Sequence, residues 1–452
     1  MSPPVRLSPL DHARLVPRLA RGDLVGVLQD LHRRHGPVVD FGYGASRMVL
    51  VFGAAANEHV LSTAASAFEW GPAMQALVAV DGPTALVVSD GDDHARRRRL
   101  VQPAFSIKRI DAHLALVATE VDRALADWQP GTQLDASASL RVAIRRIVVR
   151  ALFGEELGSE ADRFGELLEP GLRYVQRMPQ LRFEHDLRVN RYARVQRSNR
   201  AADDLVLAEV ARRRAAGADR AEARESDSRA DTLSALLAGV DGDALTDAEL
   251  LDQVRSLMAA GFDTTAGAAS WLVVELGRNP EALAAVRAEV DAVLGDRVPT
   301  IDDLRSLPLA LGAVQEVLRL WPPGPAAPRR SIAPSVLHGM EIPADRMVMY
   351  SAYVTGRLPE LWPDPERFDP ARWAPGAPEP EPYSFVPFGG GYRRCIGFAL
   401  ATLELHVLAV RLVQQVEWSL RRTRVRPTGI ATLTPRGGVP IEVTSRRAGR
   451  LS

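Results

Sequence analysis

A mainly α fold with a small β region is predicted for this chain of 452 residues by three observations. Helical periodicity fills most of the sequence, notably about Leu10–His35, Leu114–Val210 and the segments around 246–277, 308–322 and 398–416. Thr246-Asp247-Ala248-Glu249 is a capping box, and the apolar-periodic segment it opens runs to Gly277 before the stop at Asn279-Pro280. At 1.5 Å per residue that helix would be ~45 Å long, which only a helix through the centre of a molecule needs. The clearest strand signal is a hairpin, Val38–Gly42 and Met48–Phe52 across a Gly/Ser turn, inside a small N-terminal β region of about residues 36–60. Length alone would suggest about three domains of ~150 residues. No boundary is marked, and residues 1–452 are expected to form one unit.

Several other stretches have a readable character. Phe68–Ser89 is apolar and irregular, with breaks at Gly71-Pro72 and Gly82-Pro83, and a hydrophobic loop of that length is expected to cover something. Asp92-Asp93 before a run of arginines suits a helix start, and on that helix His94 and Arg98 share a face at i and i+4. Arg96, Arg97 and Arg99 read as a solvated charge run. Arg173–Arg194, rich in arginine with scattered aromatics, fits either a mobile lid helix or a solvated surface, and Ala215–Ala230 reads as a flexible connection. Pro322–Pro328 is too proline-rich for helix.

Charge and cysteine usage limit the function. Lys+Arg and Asp+Glu number 56 each, so no overall field would hold nucleic acid or an anionic membrane. One cysteine cannot form an internal disulfide, and neither a hydrophobic leader nor a run of about 18 apolar residues is present. A soluble cytoplasmic protein is expected.

That cysteine sits in Phe388-Gly389-Gly390-Gly391-Tyr392-Arg393-Arg394-Cys395-Ile396-Gly397. Glycines let the backbone approach a flat partner and turn its N–H groups on a sulfur. The helix starting after Gly397 would place its positive end beside the thiol, and with the arginines this favours a thiolate able to ligate iron or attack an electrophile. The central helix has its own anomaly, Ala259-Ala260-Gly261-Phe262-Asp263-Thr264-Thr265, where Gly, Asp and Thr are poor helix formers. Gly261 could leave room for a ligand or let the helix open, and Thr264 could give its hydroxyl to the carbonyl one turn back.

The cysteine loop resembles the F-x-x-G-x-R-x-C-x-G haem-binding loop of the cytochrome P450 superfamily, through Phe388, Gly391, Arg393, Cys395 and Gly397. Ala-Gly-x-Asp-Thr-Thr, with Ala260 and Gly261 beside the cofactor, is similar to that family's oxygen-activation motif. Glu316-x-x-Arg319 and Pro365-Glu366-Arg367-Phe368 are similar to its E-x-x-R and P-E-R-F elements. The resemblance spans about Leu10–Val443 and implies the triangular P450 prism, with haem b (iron protoporphyrin IX) between the central helix and the helix after the cysteine. It implies Cys395 as iron ligand, Asp263 and Thr264 as the acid–alcohol pair that delivers protons, and His94, Arg98 and Arg329 (or its neighbour Arg330) as propionate partners. Glu316, Arg319 and Arg367 would form a structural network. Phe68–Ser89 would roof the substrate pocket, with Ala326 and Ala327 at its edge and the 431–438 turn at its floor.

A member of this family would be a monomer that inserts one oxygen atom from O2 into a lipophilic molecule such as a fatty acid, terpenoid, steroid or polyketide. A single cysteine cannot hold an iron–sulfur cluster, so electrons must come from a separate partner, most simply a small ferredoxin with its own ferredoxin reductase. Arg96, Arg97, Arg99 and Arg394 are candidates for the docking face. A peroxide-driven peroxygenase of the same fold would be expected to lack the acid–alcohol pair, and a haem sensor or carrier would leave that pair without a task.

Overall fold

The computed structural model describes residues 4–44, 47–154, 160–176, 190–217 and 231–447. The connection expected over 215–230 is helical up to Gly217, and the rest of it, like most of the arginine-rich 173–194 stretch, lies outside the described residues. The organising element is the helix Asp247–Arg278, 32 residues and ~48 Å long. The Thr246 hydroxyl accepts the Glu249 N–H at 3.2 Å, and the Glu249 carboxylate accepts the Thr246 N–H at 3.0 Å. Asn279 ends the helix and Pro280 starts the next one.

This helix is apolar nearly all round because it is wrapped by helices Ala136–Phe153, Pro308–Leu320 and Phe398–Gln415. Trp271 and Leu276 are completely buried. Among the described residues it is also the one helix long and apolar enough to cross a membrane, and its apolar window is mostly inside the protein.

The predicted hairpin forms with Val38 opposite Val51 and Phe41 opposite Met48. Val5–Arg6 pairs in parallel with the first hairpin strand, and Met48–Val51 pairs in parallel with Arg346–Tyr350, which is followed by Ala327–Ser331 and Phe68–Glu69, giving a six-stranded sheet. Two expectations need correction here. Beyond Phe52 the N-terminal region is helical, at Ala54–Glu58 and His59–Thr63, so the β region stops short of residue 60. Phe68–Ser89 is not simply irregular, since Gln75–Asp81 is a helix ended by Gly82 at φ +93°. That helix packs on the central helix and on helices Ala161–Val175 and Arg191–Gly217.

The Glu316–Arg319 pair is fully buried and doubly bonded, at 2.7 Å for each contact. Arg319 also donates to the carbonyls of Gly356, Pro365 and Arg367. Arg367 therefore contributes its backbone to the network, while its side chain is exposed. The second cation near Glu316 is Arg372, at 3.4 Å, and Trp373 Nε1 donates to the same carboxylate at 2.9 Å.

Candidate active site

The cysteine loop is shaped by two left-handed glycines, Gly389 at φ +68° and Gly391 at φ +60°. At Gly391 a Cβ would lie 2.1 Å from the Leu61 carbonyl oxygen, so no other residue fits. Cys395 N–H donates to the Phe388 carbonyl at 2.9 Å, closing the loop, and Gly397 caps helix Phe398–Gln415. Phe388 meets Phe398 edge-on at 6.3 Å. Cys395 is exposed, although protein atoms crowd around its thiol. Burial pushes its thiol up, opposed by the Gly397 N–H, Arg98 and Arg394. A cation at the sulfur would be needed to hold the thiolate outright.

On the central helix Ala260 is exposed and Gly261 and Thr264 are half-exposed, between buried Ala259 and buried Phe262 and Thr265. Thr264 donates its hydroxyl to the Ala260 carbonyl at 2.6 Å, as its spacing predicted. The helix is continuous through this motif and does not open. A Cβ on Gly261 would meet Val148 at 3.4 Å, so its missing side chain faces the neighbouring helix.

Asp263 and Thr264, adjacent in sequence, have different partners. The Asp263 carboxylate takes Arg141 Nη1 at 2.7 Å and Gln176 Nε2 at 3.3 Å. Arg141 also stacks on Phe262 at 4.5 Å, and Gln176 Oε1 accepts the N–H groups of Ile430 at 3.0 Å and Ala431 at 3.2 Å. Asp263, Arg141 and Gln176 thus share the wall of a cleft of about 550 Å³ that reaches the 428–434 turn. Below, Glu404 on the cysteine-loop helix bonds Thr265, and burial pushes its carboxyl up to about 8.

The basic groups converge at the other end. His94 is buried and edge-on to Tyr392 at 6.0 Å, and burial together with Arg393 and Arg98 pushes its imidazole down to about 3, so it is neutral. Arg98 donates to the Arg394 carbonyl at 2.9 Å. Strand alternation sends the two arginines that the sequence left open to opposite sides. Arg330 points out to Asp345, whereas Arg329 is 3% exposed, with its Cζ 3.5 Å from the centre of the Trp70 ring. Arg393 pairs with Asp90, the residue just before helix Gly91–Val101. Arg329 Nη2 and Arg393 Nε are buried with no partner among the described residues.

Of Arg98, Arg329 and Arg393, Arg393 is paired with a carboxylate, Asp90, which leaves the other two charges without an acidic partner among the described residues. Haem carries two carboxylates, so these residues fit it, as does the exposed thiol.

Phe68–Ser89 is pinned to the central helix. Thr84 donates its N–H and hydroxyl to Asp252 at 2.8 and 2.7 Å, and Leu86 N–H donates to Gln253 at 2.9 Å. The arginine run is ion-paired rather than simply solvated, with Arg97 buried, Arg96 half-buried and Arg99 still exposed. Arg96 pairs with Asp243 and Glu249, Arg97 is buried on Glu249 and Ser89, and Arg99 pairs with Asp243. Unpaired arginines so close to one another would repel, and these carboxylates at the entry to the central helix neutralise them. Sequence reasoning missed Asp90, Arg141, Gln176, Glu404 and the role of Trp70.

A long buried helix packed on the helix that follows a glycine-rich cysteine loop, with unfilled arginine donors beside that loop, suits a thiolate-ligated, anionic cofactor. The family model for cytochrome P450 matches residues 7–439. Cytochrome P450 139 of Mycobacterium tuberculosis is 38% identical over 422 residues, covering 91% of this chain and 96% of that protein. Cyclooctat-9-en-7-ol 5-monooxygenase of Streptomyces melanosporofaciens is 36% identical, covering 75% of this chain and 72% of its own. The retinoic-acid-bound cyanobacterial CYP120A1 superposes with a TM-score of 0.83 at 25% identity, covering 98% of this chain and 99% of its own. The chain belongs to the cytochrome P450 family. It is a monooxygenase of that family, whose members work with a haem-thiolate centre.

Proposed function

We propose that this enzyme binds haem b through Cys395 and inserts one oxygen atom from O2 into a terpenoid or similarly lipophilic molecule, as a single-domain cytoplasmic monomer fed by ferredoxin and its reductase. The observation that carries the reading is the exposed Ala260–Thr264 face of an otherwise buried helix, beneath a roof segment anchored to that same helix. Relatives named for oxidising cyclooctat-9-en-7-ol and, at 32% identity, pentalenene support a terpenoid within the range of lipophilic substrates.

The haem would supply oxygen binding and activation. Cys395 would hold it from one side. His94, Arg98, Arg329 and Arg393 would hold its carboxylates, and Phe388, Gly391 and Gly397 shape the loop beneath. With its hydrogen committed to Ala260, Thr264 Oγ1 keeps its lone pairs free to accept a hydrogen bond from water. Asp263 can pass a proton that way only by leaving Arg141 and Gln176, so proton delivery is a step that requires a rotamer change. The roof segment, with Leu77 and Val80, would exclude bulk water.

Because the arginine run is internally paired, the docking face for the reductant shifts to exposed Lys108 and Arg394 around exposed Ile107. The test is a visible-absorption titration of haem-loaded enzyme with terpenoids, followed by turnover of Thr264→Ala. A thiolate-haem spectrum, a high-spin shift with one terpenoid and peroxide release by the variant are expected. An unaltered coupling ratio in Thr264→Ala, or turnover supported by peroxide but not by ferredoxin, would sink the reading.

A further inference from the structure

Trp70 lies in the segment that roofs the site, and its indole Nε1–H is buried with no partner among the described residues. Leaving such a donor empty forfeits the hydrogen bond it made with water, so a native structure rarely tolerates one without a water or ligand to fill it. Two more unfilled donors are its neighbours. Arg329 has its Cζ 3.5 Å from the Trp70 ring centre and Arg393 has its own at 5.7 Å. Arg329 Nη2 and Arg393 Nε also lack partners, and Trp70, Arg329 and Arg393 line one small cavity of about 10 Å³, room for a single oxygen atom.

The ring is also held in register. Asp90 accepts the backbone N–H of Trp70 at 3.0 Å and of Gly71 at 2.6 Å, and it pairs with Arg393 as well. It makes no side-chain cap on its own helix, a role that Asp before a helix usually plays. The carboxylate serves to fix Trp70 against the cysteine loop instead.

We propose that Trp70 is a further haem-anchoring residue, whose indole N–H donates to the propionate paired with Arg329 while its ring face holds that guanidinium in place. The inference rests on the haem reading above. An anion at this point would fill three vacant donors at once, and an arginine stacked on a ring keeps its in-plane N–H groups free for a carboxylate.

The experiment compares the full-length holoenzyme with Trp70→Phe, which keeps the ring and removes the N–H, and with Trp70→Leu, which removes both. The readouts are haem transfer to apomyoglobin, the ferric/ferrous midpoint potential, the propionate bending band in resonance Raman, and melting of the apoprotein. Trp70→Phe is expected to lose haem about 10-fold faster, the change that one charged hydrogen bond supports. Its potential should fall, because a propionate without its donor stabilises ferric iron, and its apoprotein should melt no lower than wild type. Trp70→Leu should lose haem faster still. Haem loss within twofold of wild type and an unmoved Raman band in Trp70→Phe would overturn the proposal and assign the cavity to a buried water only. Apoprotein destabilisation that accounts for the haem loss would overturn it in favour of a packing role. Absence of a thiolate-haem spectrum in the wild type would overturn the haem reading first, before any variant is compared.

Discussion

Arg319 and Arg329 are both buried arginines, ten residues apart, in different chemical situations. Arg319 has all five of its N–H donors filled, two by Glu316 and three by carbonyls. Arg329 is buried almost as deeply, yet among the described residues it bonds only the carbonyl of the preceding Pro328 at 2.8 Å and the Tyr350 side chain, and Nη2 is empty. Burial alone therefore does not distinguish a structural charge from one that awaits a ligand. Satisfaction of its donors does. Arginine cannot shed its proton in a protein, so an unfilled one must find an anion. Glu404 has the alternative open to acids and stays protonated.

The largest effect should come from breaking the filled site. Arg319→Met leaves Glu316 buried without its main cation, which should cost about 3–5 kcal/mol of stability in apo- and holoprotein alike, measured by urea denaturation. Arg329→Leu should behave oppositely. Haem transfer to apomyoglobin should quicken by about 10- to 100-fold, while the apoprotein keeps or gains stability because an unpaired buried charge is gone. Equal apoprotein losses in both variants would erase the contrast.

Glu404 sharpens it by pH. Its carboxyl is raised from an unfolded value of 4.5 to about 8, so between those values the native state holds a proton that the unfolded chain has released. Stability should therefore fall as pH rises through that window, by at most ~1.4 kcal/mol per unit, with the loss complete above about pH 8. Glu404→Gln should flatten this slope in a melting series from pH 5 to 9. The smallest effect belongs to the outward neighbour. Arg330→Ala loses an exposed pair with Asp345 and should change stability by less than about 1 kcal/mol and haem transfer by less than twofold.

What the sequence made legible was local. The capping box, the helix face of His94 and Arg98, the Thr264 hydroxyl on Ala260 and the glycine loop all depend on residues within a few positions of each other, where periodicity and backbone chemistry suffice. Trp70 was visible only as one apolar residue among several, because its partners lie on the far side of the chain. Asp90 reaches Arg393 across 303 residues and Arg141 reaches Asp263 across 122. The helix Gln75–Asp81 was missed for a related reason: its support is the packing of three other helices rather than its own caps. Arg367 joins the Glu316–Arg319 network through its carbonyl rather than its side chain, because its motif fixes the backbone turn that Arg319 uses.

The bond between Asp90 and Arg393 also bears on how the chain comes to be made. One of its partners leaves the ribosome long before the other, so the cavity walls cannot meet until Arg393 has been synthesised. Closing so long a loop is entropically costly and slow. No N-terminal fragment ending before residue 393 can hold both Trp70 and Arg393 in place, so this small cavity is among the last features of the fold to close.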